Sequence, residues 1–269
     1  MKLKQKILAL LAGAAMALGL CGCSANGELT DWNYIEKKGT LVVGITYNMP
    51  MNYNDDSGQL TGFETDFTTE VCKRLGVEPK FQLIEWSKKE MELKSKTIDL
   101  IWNGLTVTEE RKQEMLFTTS YLRNKQVTIV KKENASKYPD TQSMAGITIA
   151  FEAGSAGEDI VKDDANLKDC KIVNCEAQVN ALMEVKAGTA DACIVDYTLG
   201  RALTKEGTDY SDLVVLENIA NTDEQYAIGA RLEDVQTVTK INGIIADLAK
   251  DGTLKKIAEK YDLADALLV

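Results

Sequence analysis

Asn103-Gly104-Leu105-Thr106-Val107-Thr108-Glu109-Glu110-Arg111 follows an apolar run, Ile98-Asp99-Leu100-Ile101-Trp102, and governs the reading of everything around it. The run reads as a buried strand, and the polar stretch as the turn that leads from it into a helix. Gly104 lets a ligand approach the main chain where a Cβ would block it. Thr108 reads as the helix N-cap, and Glu109 and Glu110 suit the positive end of the helix dipole. Arg111 at the third helical position is electrostatically misplaced unless a negative group from outside compensates it. A guanidinium also matches a carboxylate with two parallel hydrogen bonds, so this turn is the expected seat of a small anion. The competing reading is a surface pair of Arg111 with Glu110 or Glu114, which would be worth little.

Upstream, the chain begins with an address. Lys2, Lys4 and Lys6 precede an apolar run from Ile7 to Leu20. That is the charged and apolar pattern of a secretory signal, and it is short for a membrane span. Residues 1–22 are therefore expected to be a signal peptide. Leu20-Cys21-Gly22-Cys23 resembles a bacterial lipobox, in which cleavage precedes a lipid-modified cysteine; Cys23 fits better than Cys21 because Gly22 precedes it. The alternative is an ordinary cleavage site that contains two cysteines. Residues 23–31 would be a tether, and the lipid would hold the chain on the extracytoplasmic face of the bacterial cell membrane.

Composition narrows the chemistry. Of the 31 basic residues the leader takes three, leaving 28 against 41 acidic ones and a net charge of −13. Such a balance argues against a nucleic-acid partner. The chain contains no histidine, which removes the commonest general base and the commonest metal ligand. Triad hydrolysis and zinc chemistry are not expected, and no cofactor is. Beyond the leader, Cys72, Cys170, Cys175 and Cys193 match no CxxC pattern. Export permits a disulfide, with Cys170 to Cys175 or Cys193 the pairings closest in sequence. Buried free thiols are the alternative.

Strands alternate with helical patterns along the rest, the signature of a parallel or mixed sheet covered by helices. Thr40 to Ile45 is the first buried strand. Phe63, Phe67 and Val71 mark an amphipathic helix that stops at Gly76. Lys80 to Ile84 is the next strand, and a loop and helix follow from Trp86 to Leu93. Near Tyr121 to Val130 the pattern becomes one long strand, Gln126 to Val130, and the polar segment from Lys131 to Ser143 suggests a domain crossing. A second unit starts with the strand Gly146 to Phe151. Its turn, Glu152-Ala153-Gly154-Ser155-Ala156-Gly157, offers N–H groups to an anion, with a helix expected from Glu158. Val179 to Lys186 is a further helix, and Ala190 to Asp196 a strand with Asp196 at its carboxyl edge, where open α/β sheets bind ligands. Gln225 to Gly229 would carry the chain back, and two amphipathic helices close it, with a stop at Asp251-Gly252. One domain interrupted by another makes two lobes hinged around a cleft.

Taken in order, these signals resemble the solute-binding proteins of ABC amino-acid importers, the polar-amino-acid family with the type II periplasmic-binding-protein fold. The residues that carry the resemblance are the lipobox, Gly62-Phe63-Glu64-Thr65-Asp66, Asn103 to Arg111, Phe117-Thr118-Thr119-Ser120-Tyr121, Gly154-Ser155, Ala190 to Asp196, Asp251-Gly252-Thr253-Leu254 and Lys260-Tyr261. The resemblance implies two α/β lobes joined by two hinge crossings, lobe 1 from residues 32–122 and 225–269 and lobe 2 from residues 123–224. It implies a monomeric, non-catalytic receptor that captures a polar amino acid and passes it to a permease and ATPase complex.

Roles implied by the resemblance fall on particular positions. Arg111 would clamp the ligand's α-carboxylate, with Thr106 and the Gly104 backbone beside it and with Ser155 and Ala156 in the opposing turn. Asp196 would receive the α-ammonium; its other reading is a plain cap for the helix that starts at Tyr197. The family's stacking aromatic falls near Asn48, leaving Tyr47 or Tyr53 as candidates. Trp86 matches a second aromatic position, or else is core. Asn103 replaces a small residue and would narrow the pocket or bond to the ligand. Glu152 would face the ligand's side chain and favour cationic or amide groups, unless it is a solvated loop charge. Ile45 stands where some binders of basic amino acids carry Asp. Two other functions stay open: an exported dehydratase of prephenate or arogenate on the same fold, with Glu152 as proton donor, and a sensory module.

Overall fold

The computed structural model describes residues 30–216, Ile219 and residues 223–269. The signal peptide, Cys23 and most of the expected tether lie outside the described residues. In the first part of the chain, α1 is Asp31–Lys38, β1 Thr40–Ile45, β2 Tyr53–Asn54, β3 Leu60–Thr61, α2 Phe63–Leu75 and β4 Glu78–Leu83. Then come α3 (Lys89–Lys94), β5 (Leu100–Ile101), α4 (Arg111–Glu114), β6 (Leu116–Phe117), β7 (Leu122–Asn124) and β8 (Gln126–Lys131). The middle contains β9 (Thr148–Glu152), α5 (Ala156–Asp163), β10 (Lys171–Cys175), α6 (Gln178–Ala187), β11 (Ala192–Asp196), α7 (Tyr197–Leu203) and β12 (Leu213–Leu216). The chain ends with β13 (Glu224–Tyr226), β14 (Gly229–Ala230), α8 (Val235–Lys250) and α9 (Thr253–Lys260).

Two five-stranded sheets form two lobes, with strand orders β4-β1-β5-β14-β6 and β10-β9-β11-β8-β12. In the first, β1 runs parallel to β4 and β5, and β14 returns antiparallel between β5 and β6. In the second, β9 runs parallel to β10 and β11, whereas β8 is antiparallel to β11 and β12. The chain leaves the first sheet through β7 and returns through β13, and these two strands pair antiparallel as a separate ladder. The turns Asn103 to Arg111 and Ala153 to Ser155 each follow the carboxyl end of a sheet strand, β5 and β9 respectively.

Period-two patterning divides the second lobe's core. Val127 and Ile129 of β8 and Cys193 and Val195 of β11 join Leu182 and Leu199 on one face. Val130, Ala192 and Ile194 join Phe151 and Val161 on the other. In the first lobe, Phe63, Phe67 and Val71 of α2 meet Ile241, Ile245 and Leu248 of α8 in a single cluster with β1. Gly62 is required at the start of α2: its φ is 131°, and a Cβ there would stand 2.1 Å from the Met51 carbonyl oxygen.

Several expectations shift. Asp31 belongs to the fold rather than to a tether, because its carboxylate accepts the Gln236 and Thr237 N–H groups at 2.7 and 2.8 Å and so caps α8 from outside the helix. The helix α1 itself was not anticipated from the sequence. Glu152 ends a strand instead of opening a turn, and α5 starts at Ala156, two residues before the expected Glu158. The four described cysteines are buried free thiols. Cys170 Sγ donates to the Met144 carbonyl in one core cluster, and Cys193 lies in the other, so the disulfide alternative does not hold.

Candidate functional site

Arg111 opens the one-turn helix α4 instead of standing third in it, and Glu110, not Thr108, is the residue next before the helix; Thr108 Oγ1 still accepts the Arg111 backbone N–H at 3.1 Å. Its guanidinium is buried and turned away from the surface: Nη1 donates to the Thr106 carbonyl at 2.9 Å, and Nη2 to the Gly154 carbonyl of the second lobe at 3.2 Å. The surface pairing with Glu110 or Glu114 is not made; Lys94 takes Glu114 instead. A second cation arrives at the same carbonyl. Lys89 Nζ donates to Gly154 O at 3.0 Å and to Trp86 O at 3.4 Å, and lies 3.1 Å from Glu90. Burial, followed by the charge of Arg111, lowers the Lys89 pKa. Two buried cations of the first lobe thus converge on one neutral acceptor of the second.

Much of the anticipated ligand contact in the Asn103 turn is spent inside the protein. The Gly104 N–H donates to both oxygens of Glu64, at 2.9 and 3.0 Å. Asn103 Nδ2 donates to Thr46 Oγ1 at 2.7 Å, and its Oδ1 accepts Asn52 Nδ2 at 2.9 Å. Asn103 is therefore a tie between turns, and the Gly104 N–H is likewise taken up within the protein. A Cβ there would come 3.3 Å from the Tyr226 ring. Glu64 also accepts the Tyr121 hydroxyl and Asn52 Nδ2. Complete burial pushes its carboxyl up to about 7 against the pull of those bonds.

Asp196, at the end of β11, is buried, and its carboxylate caps no helix. Oδ1 accepts Asn124 Nδ2 at 2.9 Å and Gln126 Nε2, while Oδ2 accepts Gln178 Nε2. Burial raises its pKa, opposed by the bonds from Gln178, Gln126, Tyr226 and Asn124. Glu152 is also buried, so the solvated-loop reading fails. Burial first, then Asp196, push its carboxyl up to about 8, while Lys89, Gln178 and Arg111 pull it down. Thr106 Oγ1, expected beside the ligand carboxylate, donates to Glu224 Oε2 at 3.0 Å. Ser155 Oγ caps α5 by accepting the Glu158 N–H at 3.3 Å, and Gly154 N–H goes to Glu158 Oε2 at 2.6 Å. The turn that holds Ser155 and Ala156 therefore presents its Gly154 carbonyl to the first lobe's cations.

Of the aromatics, Trp86 is buried, with Lys89 Nζ 5.0 Å from its ring centroid. It also lines a cavity of about 140 Å³ with Ser87 from its own lobe and Ala153 and Cys175 from the other. Trp86 packs with Leu93, Ile98 and Leu105, so it is both core and cleft wall. Tyr47 is 43% exposed, and Tyr53 lines a different cavity of about 530 Å³ beside the crossing strands. Asn48, Met51 and Asn52 of that loop are buried, and neither tyrosine is.

Across the cleft, then, Arg111 and Lys89 stand on one lobe, and the buried carboxyls of Asp196 and Glu152 stand on the other. Sequence reading picked out Arg111, Asp196, Glu152, Trp86 and Thr106, and the structure brings them to one cleft. It missed Lys89, Glu64, Gln178, Asn124 and Glu224. The signal available for Lys89 was a lysine at the start of α3 three residues after Trp86; Glu64 stood in a stretch that carries the resemblance but had no role attached, and Gln178, Asn124 and Glu224 carried no signal, because their partners are distant in sequence.

The chain resembles known proteins over most of its length. Residues 41–264 match the model of the bacterial extracellular solute-binding proteins, family 3. The L-cystine-binding protein TcyJ of Escherichia coli strain K12 is 28% identical over 235 residues, which cover 87% of this chain and 86% of that protein. Among solved structures, Tv2483 bound to L-arginine superposes with a TM-score of 0.82 at 28% identity, covering 88% of this chain and 96% of the other. An ABC uptake transporter substrate-binding protein from Streptococcus pneumoniae with bound histidine gives 0.79 at 30% identity, covering 88% and 98%. The ancestral amino acid-binding protein AncCDT-1, a precursor of cyclohexadienyl dehydratase, gives 0.77 at 30% identity, covering 84% and 97%. These structures share the two-lobed type II periplasmic-binding-protein fold.

Proposed function

The chain belongs to the bacterial extracellular solute-binding proteins, family 3, and we propose that it captures a polar amino acid between its lobes and delivers it to an ABC importer. The observation that carries this reading is the opposition of Arg111 and Lys89 on one lobe to Asp196 and Glu152 on the other. A zwitterion answers the cations with its carboxylate and Asp196 with its ammonium, so its binding favours the arrangement in which the lobes approach, and that arrangement is what a permease recognises. Arg111 holds the α-carboxylate with Thr106 beside it, and Asp196 holds the α-ammonium. Lobe 1 comprises residues 32–122 and 225–269, lobe 2 residues 123–224, and the β7–β13 ladder is the hinge. Cys23 carries the lipid that anchors a monomeric receptor outside the membrane.

Glu152 faces the ligand's side chain. An acidic or purely aliphatic side chain leaves a carboxyl repelled or unpaired in a drying cleft, a cost of about 1–3 kcal/mol. Glutamine, cystine and arginine avoid it. The relatives named for cystine, histidine and arginine support this ranking.

One observation favours a second reading. A carboxyl with a pKa of about 8 is protonated at neutral pH, so Glu152 is a competent proton donor of the kind a dehydratase needs. AncCDT-1 belongs to a lineage in which such a change occurred, but it is itself named an amino acid-binding protein. We therefore place the receptor reading first.

A thermal-shift screen of the purified chain from Cys23 onward against the common amino acids, cystine and prephenate tests it, because a ligand that binds only the native state raises its melting temperature. Glutamine, cystine or arginine is expected to give the largest rise. A shift by prephenate accompanied by its turnover, with none by any amino acid, would replace the receptor by the enzyme.

A further inference from the structure

Glu224 stands on the returning strand β13 directly opposite Asn124 of β7, so the two residues are register partners on the ladder that joins the lobes. Both side chains are buried and reach the same place. Asn124 Nδ2 lies 2.9 Å from Asp196 Oδ1 and 3.1 Å from Glu224 Oε2. Gln126 Nε2 bridges the same two oxygens, at 2.5 and 3.0 Å. Two carboxylates that share two amide groups stand only a few ångströms apart. The groups on Asp196 are neutral: the amides of Asn124, Gln126 and Gln178 and the Tyr226 hydroxyl.

A second observation points outward from this pair. Asn124 is 4% exposed, and its Oδ1 has no partner among the described residues. Its orientation is set by chemistry, since the reversed amide would turn an oxygen toward two carboxylates. Asn48 Oδ1, buried and likewise without a partner among the described residues, belongs to the same corner: a Cβ at Gly104 would lie 3.5 Å from Asn48 Nδ2 and 3.3 Å from the Tyr226 ring. The corner thus presents carboxylate and amide oxygens. A cluster of oxygen acceptors suits a positive group with several N–H donors, and a primary ammonium has three.

We propose that Glu224 is a ligand-binding residue, forming with Asp196 and Asn124 Oδ1 a two-carboxylate ammonium subsite carried by the hinge itself. This rests on the amino-acid reading above and deepens it. Lobe 1 reaches the subsite through Thr106 on Glu224, and lobe 2 through Asp196 on Asn124. An ammonium bound there ties both lobes to the crossing strands, so the residue that senses the ligand's nitrogen lies on the element that bends.

A merely structural Glu224 would hold the crossing strands together and affect every ligand alike. The test therefore compares amino acids with counterparts that lack the α-nitrogen. Affinities of wild type, Glu224→Gln and Asp196→Asn are measured by competition calorimetry for L-glutamine, L-cystine and L-arginine and for glutaramate, dithiodipropionate and guanidinovalerate. Both substitutions are expected to weaken the amino acid about tenfold or more while changing its desamino counterpart by less than about threefold. Equal weakening of both ligands by Glu224→Gln, or unchanged amino-acid affinity, overturns the proposal even if Asp196→Asn behaves as expected. Where melting curves show that Glu224→Gln does not fold, Glu224→Asp, which keeps the charge and shortens the reach, is read by the same ratio. A wild type that binds none of the three amino acids contradicts the receptor reading itself, a result distinct from a silent Glu224.

Discussion

Arg111 and Lys89 donate to the same carbonyl oxygen, which brings two positive charges together; Glu90 answers Lys89 at 3.1 Å, whereas the Arg111 guanidinium donates to two neutral carbonyls. A ligand carboxylate at that point would remove the repulsion between the two cations. Arg111→Ala should therefore weaken amino-acid binding by about 2–5 kcal/mol, the range for removing one partner of a buried charge pair. Arg111→Lys should restore only part of it, for want of the planar fork. Calorimetry on both variants checks this, and unchanged affinity in Arg111→Ala would remove the clamp. Arg111 and Asp196 were legible in the sequence because each sits one short turn, or none, beyond an apolar strand, where a charge has no packing reason to be. Glu64 was not: it hides in the first turn of α2, where acidic residues are ordinary, and its task of holding the Gly104 N–H is set by a residue forty positions away. Asn103 misled for the same reason, its amide being consumed by Thr46 and Asn52.

At the scale of elements, long periodic patterns translated directly. The strand β1, the helix α2 with its Gly76 stop and the pair α8 and α9 fall where apolar spacing put them. Short elements did not. The run Ile98 to Trp102 yields a strand of only Leu100–Ile101, because the preceding Asp99 carboxylate turns to the Val42 N–H and Lys38. Asp31 reads as part of a polar tail until α8 is in place to receive its carboxylate. The strand expected at Gln126 to Val130 is present as β8, and a separate short strand, β7, precedes it; that division matters most for function. It leaves β7 free to pair with β13, placing Asn124 opposite Glu224 at the crossing.

The whole molecule buries carboxyl groups that hold protons near neutral pH, and this shapes its stability. Glu64 is raised from 4.5 to about 7, and Glu152 from 4.5 to about 8, each first by burial. A carboxyl whose folded pKa exceeds its unfolded one stabilises fully below the unfolded value, and that contribution is lost as pH rises through the folded one. Unfolding free energy of the ligand-free protein should therefore fall between pH about 5 and about 8.5, by an amount on the order of a few kcal/mol. Denaturant titration across that range checks the sign, and a rise would mean that these carboxyls are ionised at little cost.

The central claim is that one amino acid spans the cleft with its carboxylate on Arg111 and its ammonium at the Asp196 corner. A crystal structure of the protein grown with the amino acid that most raises its melting temperature measures this directly. The account predicts that both Arg111 Nη atoms lie within hydrogen-bond distance of the ligand carboxylate, with the ligand nitrogen against Asp196 and Glu224. A ligand bound with its ends reversed, or seated in the cavity beside the crossing strands with Arg111 still on Gly154, would contradict it.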